Sequence, residues 1–195
     1  MNGFERRREQ KKLDIIESAL ALFMESGIQK VSIAEIAKRA TVSQVTIYNY
    51  FESKDNLVQI VLKFYVDQIW KEQKALLESN LPFMEKIKQI TFDKSDIAGE
   101  MGERFFEDFM MDYSTGKSYV DELYTTEALP RLITFFNEGK EQGYIDPNIS
   151  NEAILVYMQM FKEYMQKEGV GQALLPLTED LTKLFFYGVV GNDKN

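Results

Sequence analysis

Apolar residues recur at three- and four-residue intervals along almost the whole chain. No segment alternates apolar and polar positions between turn signals, so the pattern predicts helices and no strands. Ile16, Leu20 and Phe23, with Ala19 beside them, share one face, so residues 10–26 read as an amphipathic helix closed by Gly27 as its C′ residue. Ser32-Ile33-Ala34-Glu35 has the form of a capping box, which starts a short helix with Ile36, Ala37 and Ala40 on one face. Ser43 offers a second N-cap for a helix through Ile47, Tyr48 and Phe51. Ser53 offers a third, for a long helix with Leu57, Ile60, Val61 and Phe64 turned inward.

Further along, the helical units lengthen. Leu81-Pro82 places proline at a helix start, and helices are expected over 83–93, 97–112 and 118–142. Pro130 should bend or divide the third of these, because its ring clashes with the preceding turn. Gly143 and Asp146-Pro147 end it, Ser150 caps a helix carrying Ile154, Tyr157, Phe161 and Tyr164, and Thr178 caps the last, carrying Leu181, Leu184, Phe185 and Val189. The expected division is a small module, residues 1–53, and a larger helical region, residues 54–195.

Composition narrows the chemistry. The 195 residues include no Cys and no His, which removes thiolate and imidazole metal ligands, Cys nucleophiles and any Ser-His-Asp arrangement, so no cofactor, no metal and no enzymatic activity are expected. The run Arg6-Arg7-Arg8 is followed by an amphipathic pattern, not by an apolar stretch, and no run approaches membrane-spanning length. A cytoplasmic protein without membrane partners is therefore expected. A net charge of −8 at first argues against nucleic acid. Its distribution does not: residues 1–51 hold eight basic against six acidic residues, and the rest holds 15 against 25.

Two short helices joined by a three-residue turn, the second with polar groups at its exposed N-terminal end, form the unit that fits a DNA major groove. Ile33, Ile36, Ala37, Val42 and Ile47 would hold the pair together, leaving Gln44, Val45, Thr46, Tyr48, Asn49 and Tyr50 outward. Gln and Asn can bond adenine bidentately, and Val45 could meet a thymine methyl. Ser32, Thr46, Tyr48 and Lys54 suit phosphates, which fix register without reading sequence. A purely structural helical hairpin is the plain alternative. Arg6 to Arg8 form either a backbone clamp or a solvated tail, since Glu5 and Glu9 dilute the run.

The segment from Ile15 to Leu57 resembles the DNA-binding module of the tetracycline-repressor (TetR) family. The resemblance rests on Ala19-Leu20-Ala21-Leu22-Phe23, Gly27, Val31-Ser32-Ile33, Ile36-Ala37, Ala40 and Val42-Ser43. It continues through Thr46-Ile47-Tyr48, Tyr50-Phe51, Ser53-Lys54-Asp55 and Leu57. It implies an all-α protein: a three-helix DNA-binding domain, then a helical effector-binding and dimerisation domain. It also implies that Gln44, Val45, Thr46, Tyr48, Asn49 and Tyr50 face DNA and that Ser32 and Lys54 touch its backbone. Thr41 departs from the family, which often has Gly in this turn; a Thr at positive φ would cost about 1–2 kcal/mol. After residue 60 the likeness thins, although Glu138-Gly139 with Gly143-Tyr144-Ile145-Asp146-Pro147 looks like a phrase many members carry.

The resemblance implies a homodimer through the last two long helices. Tyr157, Phe161, Tyr164, Leu181, Leu184, Phe185 and Val189 are the candidates, and their apolar surface exceeds what a monomer would need. Trp70, Phe83, Met84, Phe105, Phe106, Phe109, Met110 and Tyr113 could line a pocket for a small lipophilic effector, or form ordinary core. The resulting expectation is a dimeric repressor of a palindromic double-stranded DNA operator, released by that effector. The alternative is an effector-independent DNA-binding factor whose C-terminal domain serves assembly or protein interaction.

Overall fold

The computed structural model describes residues 2–90, 102–113, 119–165, 167 and 170–190, and among these the chain is all-helical, with no strand. By its contacts it divides into two compact units: residues 1–69 with 101–109, and residues 70–100 with 110–195.

The first unit opens on α1 (Gly3–Ser26), which begins seven residues earlier than the apolar periodicity predicts. Asn2 Oδ1 accepts from the amides of Phe4 and Glu5 at 3.0 and 2.9 Å, and Glu5 accepts from the Asn2 amide at 2.9 Å. This capping box starts a helix whose first turns, residues 2–11, are exposed. Strong helix formers such as Glu, Arg, Gln and Lys sustain it without an apolar stripe.

Gly27 ends α1 at φ +82, and α2 (Ile33–Arg39) and α3 (Gln44–Phe51) follow from the Ser32 and Ser43 caps as expected. At the end of α2 the Val42 amide reaches Ala37 O at 2.9 Å and the Thr41 amide reaches Lys38 O at 3.3 Å, a Schellman closure with Thr41 as its left-handed residue. Thr41 accordingly sits at φ +55, and the strain its Cβ incurs is accepted. Beyond α3, Glu52 is also held at positive φ, at +64. Both turns that present α3 therefore carry non-glycine residues in costly backbone conformations.

Ser53 Oγ accepts from the Asn56 amide at 3.1 Å and starts α4 (Lys54–Leu77). The core of the unit is Ile15, Ala19, Phe23, Ile36, Ile47, Phe51, Leu57 and Val61 together with Phe105, all fully buried. Phe105 belongs to α6 (Glu103–Tyr113), which packs Phe105 and Phe109 edge-on against Tyr65. Side chains of α6 and α4 also fasten the α1–α2 connection: Asp108 Oδ2 accepts the Ile28 amide at 2.7 Å, while Lys54 Nζ donates to Ile28 O at 3.1 Å.

The second unit contains residues 83–90 of α5, then α7 (Tyr119–Leu123), α8 (Leu129–Glu141), α9 (Asn151–Met165), α10 (Val170–Leu174) and α11 (Thr178–Val190). The helix expected over 118–142 is divided just before Pro130, by a change of helix type and not by a loop. Residues Tyr124–Ala128 form a π turn that joins α7 to α8 and leaves the proline in the first turn of α8. Widening the turn gives the ring room, and side chains beside it donate back to helix carbonyls: Thr125 to Asp121 O, Thr126 to Glu122 O and Arg131 to Glu127 O.

Phe83, Phe135, Phe136, Ile145 and Ile154 make the core of this unit. Gly139 is required there, because a Cβ would lie 2.6 Å from Phe83 Cζ and 2.9 Å from Ile145 Cδ1. Lys86 is buried, and its ammonium donates to Glu138 Oε2 at 2.8 Å and to Leu77 O at 3.1 Å. The phrase from Glu138 to Pro147 thus has a structural reason at four of its points: Glu138 neutralises a buried cation, Gly139 admits Phe83, Gly143 turns at φ +76, and Ile145 is core.

Candidate nucleic-acid interface

The geometry of α3 follows from which of its residues the core takes. Ile47 and Phe51 are fully buried, whereas Val45 and Tyr48 are 66% and 46% exposed, with Gln44 and Asn49 exposed beside them. Positions i, i+1, i+4 and i+5 of a helix share a face, so these four side chains form one outward stripe. It carries two amides able to donate and accept together, one aliphatic group and one phenol, and no charge. Such a stripe can read base edges in the major groove.

The other residues expected at the interface are placed differently. Thr46 is half-buried, its hydroxyl 2.8 Å from Ser43 Oγ, which also accepts the Thr46 amide at 3.0 Å. Tyr50 is half-buried too. It packs on the core of the unit beside Phe51, and the Arg8 guanidinium lies over its ring at 5.9 Å. Tyr50 therefore faces α1, off the outward stripe.

Ser32 is exposed, but its hydroxyl donates to Glu35 at 2.6 Å and accepts from the Glu35 amide at 3.3 Å. The Ser32 hydroxyl and then the Ser32 amide hold the Glu35 carboxyl below its ordinary pKa, and Lys54 adds a smaller push in the same direction. Lys54 is half-buried, with one donor on Ile28 O and others left for a phosphate. Sequence reasoning missed the first two turns of α1 and the Arg8–Tyr50 stacking. The Asn2…Glu5 spacing was the available signal.

The aromatic set proposed for an effector is divided between the units. Phe105, Phe106 and Phe109 lie on the part of α6 in the first unit, with Phe105 fully buried there. Phe83 and Met84 belong to the core of the second unit, and Trp70 lies there half-buried beneath the Arg131 guanidinium at 5.9 Å. The side chains of Met110 and Tyr113 lie outside the described residues.

The set proposed for dimerisation lies on α9 and α11. Tyr157 stacks on Phe185 at 5.6 Å, and Phe161 meets the same ring edge-on. Leu181, Phe161 and Phe185 are half-buried, and the Val189 side chain is outside the described residues. Tyr164 and Leu184 are 50% and 66% exposed, and Val156, Met160 and Tyr187 extend this apolar surface. Among the described residues no acidic cluster converges as a metal site would require, and no helix is long and apolar enough to cross a membrane.

A capped helix pair presenting one neutral reading stripe defines the class as a helix-turn-helix DNA-binding regulator. Residues 15–61 match the family described as bacterial regulatory proteins, tetR family. The chain is 43% identical over 61 residues to the HTH-type transcriptional regulator YuxN of Bacillus subtilis (strain 168), covering 31% of this chain but only 21% of that protein. It is 19% identical over 160 residues to the HTH-type transcriptional repressor KstR2 of Mycobacterium tuberculosis, covering 75% of this chain and 74% of that one. The fold is shared with the transcriptional regulator FadR of Bacillus subtilis in complex with stearoyl-CoA: TM-score 0.61, 19% identity, 91% of this chain and 99% of that one.

Proposed function

We propose that this chain is a cytoplasmic, homodimeric repressor that binds a palindromic DNA operator and leaves it when a small lipophilic molecule enters the C-terminal region. Residues 1–53 carry the reading function and residues 54–195 carry effector binding and dimerisation. The reading rests on one observation above all: α3 buries Ile47 and Phe51 while exposing Gln44, Val45, Tyr48 and Asn49 together. Gln44, Val45 and Asn49 read bases; Ser32, Thr46, Tyr48 and Lys54 contact the backbone, and Tyr50 supports the stripe from the α1 side.

The exposed apolar surface of α9 and α11 supports self-association, since an isologous contact hides it on both copies at once. Two reading helices would then stand at least about 34–36 Å apart, as an inverted repeat requires. Stearoyl-CoA in the FadR structure supports a lipophilic effector class. Such a ligand acts by binding better to the spacing of reading helices that does not fit the operator.

Selection of bound duplexes from the genome of origin tests the reading. An inverted repeat is expected, and recovery of DNA with no shared sequence would refute it. On the recovered site, Gln44→Ala should relax preference at particular base pairs by about 1–3 kcal/mol, whereas Lys54→Ala should weaken all sequences alike. The effector step fails if every small molecule that binds the protein leaves operator affinity unchanged.

A further inference from the structure

We propose that the principal phosphate clamp is the N-terminal part of α1: Arg7, Arg8 and Lys11 form one wall of a groove whose other wall is Thr46, Asn49 and Tyr50 of α3, and this groove takes the operator's sugar–phosphate backbone. The proposal rests on the DNA-binding reading above and assigns the charge that the reading lacks.

The reading helix has no charged residue, yet affinity for duplex DNA comes chiefly from cations placed on phosphates. Of the basic groups nearest the helix-turn-helix, Arg39 is paired with Glu25 at 2.8 Å and Lys54 is tied to Ile28 O, which leaves Lys30 and Lys38 as single exposed cations. Five of the eight basic residues within 1–51 stand instead at positions 6, 7, 8, 11 and 12.

As a linear string this run looks neutralised by Glu5 and Glu9. As a helix it does not. Phe4, Arg7, Arg8 and Lys11 recur at i, i+3, i+4 and i+7 and share a face, while Glu5 and Glu9 are turned at least about 100° away from its centre at 100° per residue. Glu5 is further occupied as the capping partner of Asn2. The cationic face lines an open concavity of about 670 Å³ that Thr46, Asn49 and Tyr50 line from α3.

Among the described residues none of the three cations is in an ion pair, and the one carboxylate of the concavity, Asp14, accepts from Gln10. Cations in the opening turns of a helix oppose its dipole, so their placement is unfavourable until a polyanion is present. Arg8 over the Tyr50 ring ties this wall to the reading helix, so clamp and reader move as one piece.

The test is the salt dependence of binding to a labelled duplex of about 30 base pairs, roughly three helical turns. It uses one duplex of arbitrary sequence and one recovered by selection. The variant Arg7→Gln with Arg8→Gln and Lys11→Gln keeps helix-forming side chains. Its plot of log affinity against log salt should be shallower by about 2–3 per protomer, because each phosphate that a cation neutralises contributes roughly 0.9 to the slope.

Preference among base-pair variants should stay as in the parent. Arg6→Gln, on the opposite side of α1, should leave the slope unaltered, and Arg7→Lys with Arg8→Lys should retain it. An unaltered slope in the triple variant overturns the proposal, and so does an equal reduction from Arg6→Gln, which would signal net charge alone. If the parent protein shows no salt-sensitive binding to either duplex, the DNA-binding reading fails and the clamp fails with it. If the parent binds and the triple variant binds identically, only the clamp is wrong. Binding of an acidic polypeptide that the triple variant loses, while duplex binding and its salt slope stay as in the parent, would reassign the groove to a protein partner and also overturn it.

Discussion

The two units differ in how their helices are held in place and in what they offer to the outside. In the first, Asn2, Ser32, Ser43 and Ser53 close the starts of α1 to α4 with side chains two or three residues away. In the second, the decisive contacts are distant in sequence: Lys86 with Glu138, Arg131 with Glu78, and Phe83 under Gly139. Outwardly, the first unit shows amides and a phenol on α3, while the second shows Val156, Met160, Leu184 and Tyr187 on α9 and α11. A neutral polar stripe suits a partner read by hydrogen bonds; an apolar one suits a partner that removes it from water.

Mutations can break this comparison at either end. Leu184→Glu should have the largest effect, because a two-fold interface repeats the change and buries two unpaired carboxylates. The proposed dimer should weaken by at least about 1,000-fold, near 4.1 kcal/mol, as seen by sedimentation, with each subunit still helical. Glu138→Ala leaves the Lys86 ammonium buried without its counter-charge and should cost about 3 kcal/mol in urea unfolding. If it costs nothing, the second unit is not organised by that pair.

Ser43→Ala removes the cap of the reading helix alone and should cost about 1 kcal/mol. Thr41→Gly should instead stabilise by roughly 0.5–1 kcal/mol, since relief of about 1–2 kcal/mol at positive φ exceeds the entropy glycine loses. The smallest effect concerns pH. The Glu35 carboxyl is lowered by Ser32, so its contribution is present above the ordinary glutamate range and is lost as pH falls through the folded value. The melting difference between the parent and Glu35→Gln should accordingly close on acidification.

The same contrast explains what could be read in advance. Every cap named from local spacing in the helix-turn-helix is present, and Ile47 and Phe51 are buried as the periodicity requires, because a cap needs only residues three apart. The start of α1 escaped because a helix with no buried face leaves no apolar period. Local spacing alone leaves Tyr50 outward, because its partner Arg8 lies 42 positions earlier in the chain. In the second unit the long elements were legible, the short α10 was not, and neither were the joints. Nothing local announces that a π turn would accommodate Pro130, or that Glu138 would face a buried lysine. The aromatic residues around Phe105 looked like one cluster in sequence, yet α6 and α5 deliver them to separate cores.

Ile28 has both of its backbone polar groups taken by side chains, the amide by Asp108 and the carbonyl by Lys54. In isotopic terms this makes one proton a clock. Its exchange with deuterated solvent requires the Asp108 carboxylate to let go, so its rate counts departures of α6 from the α1–α2 connection. A single resonance can therefore time how often the support behind the reading helices loosens, without any ligand or operator being known.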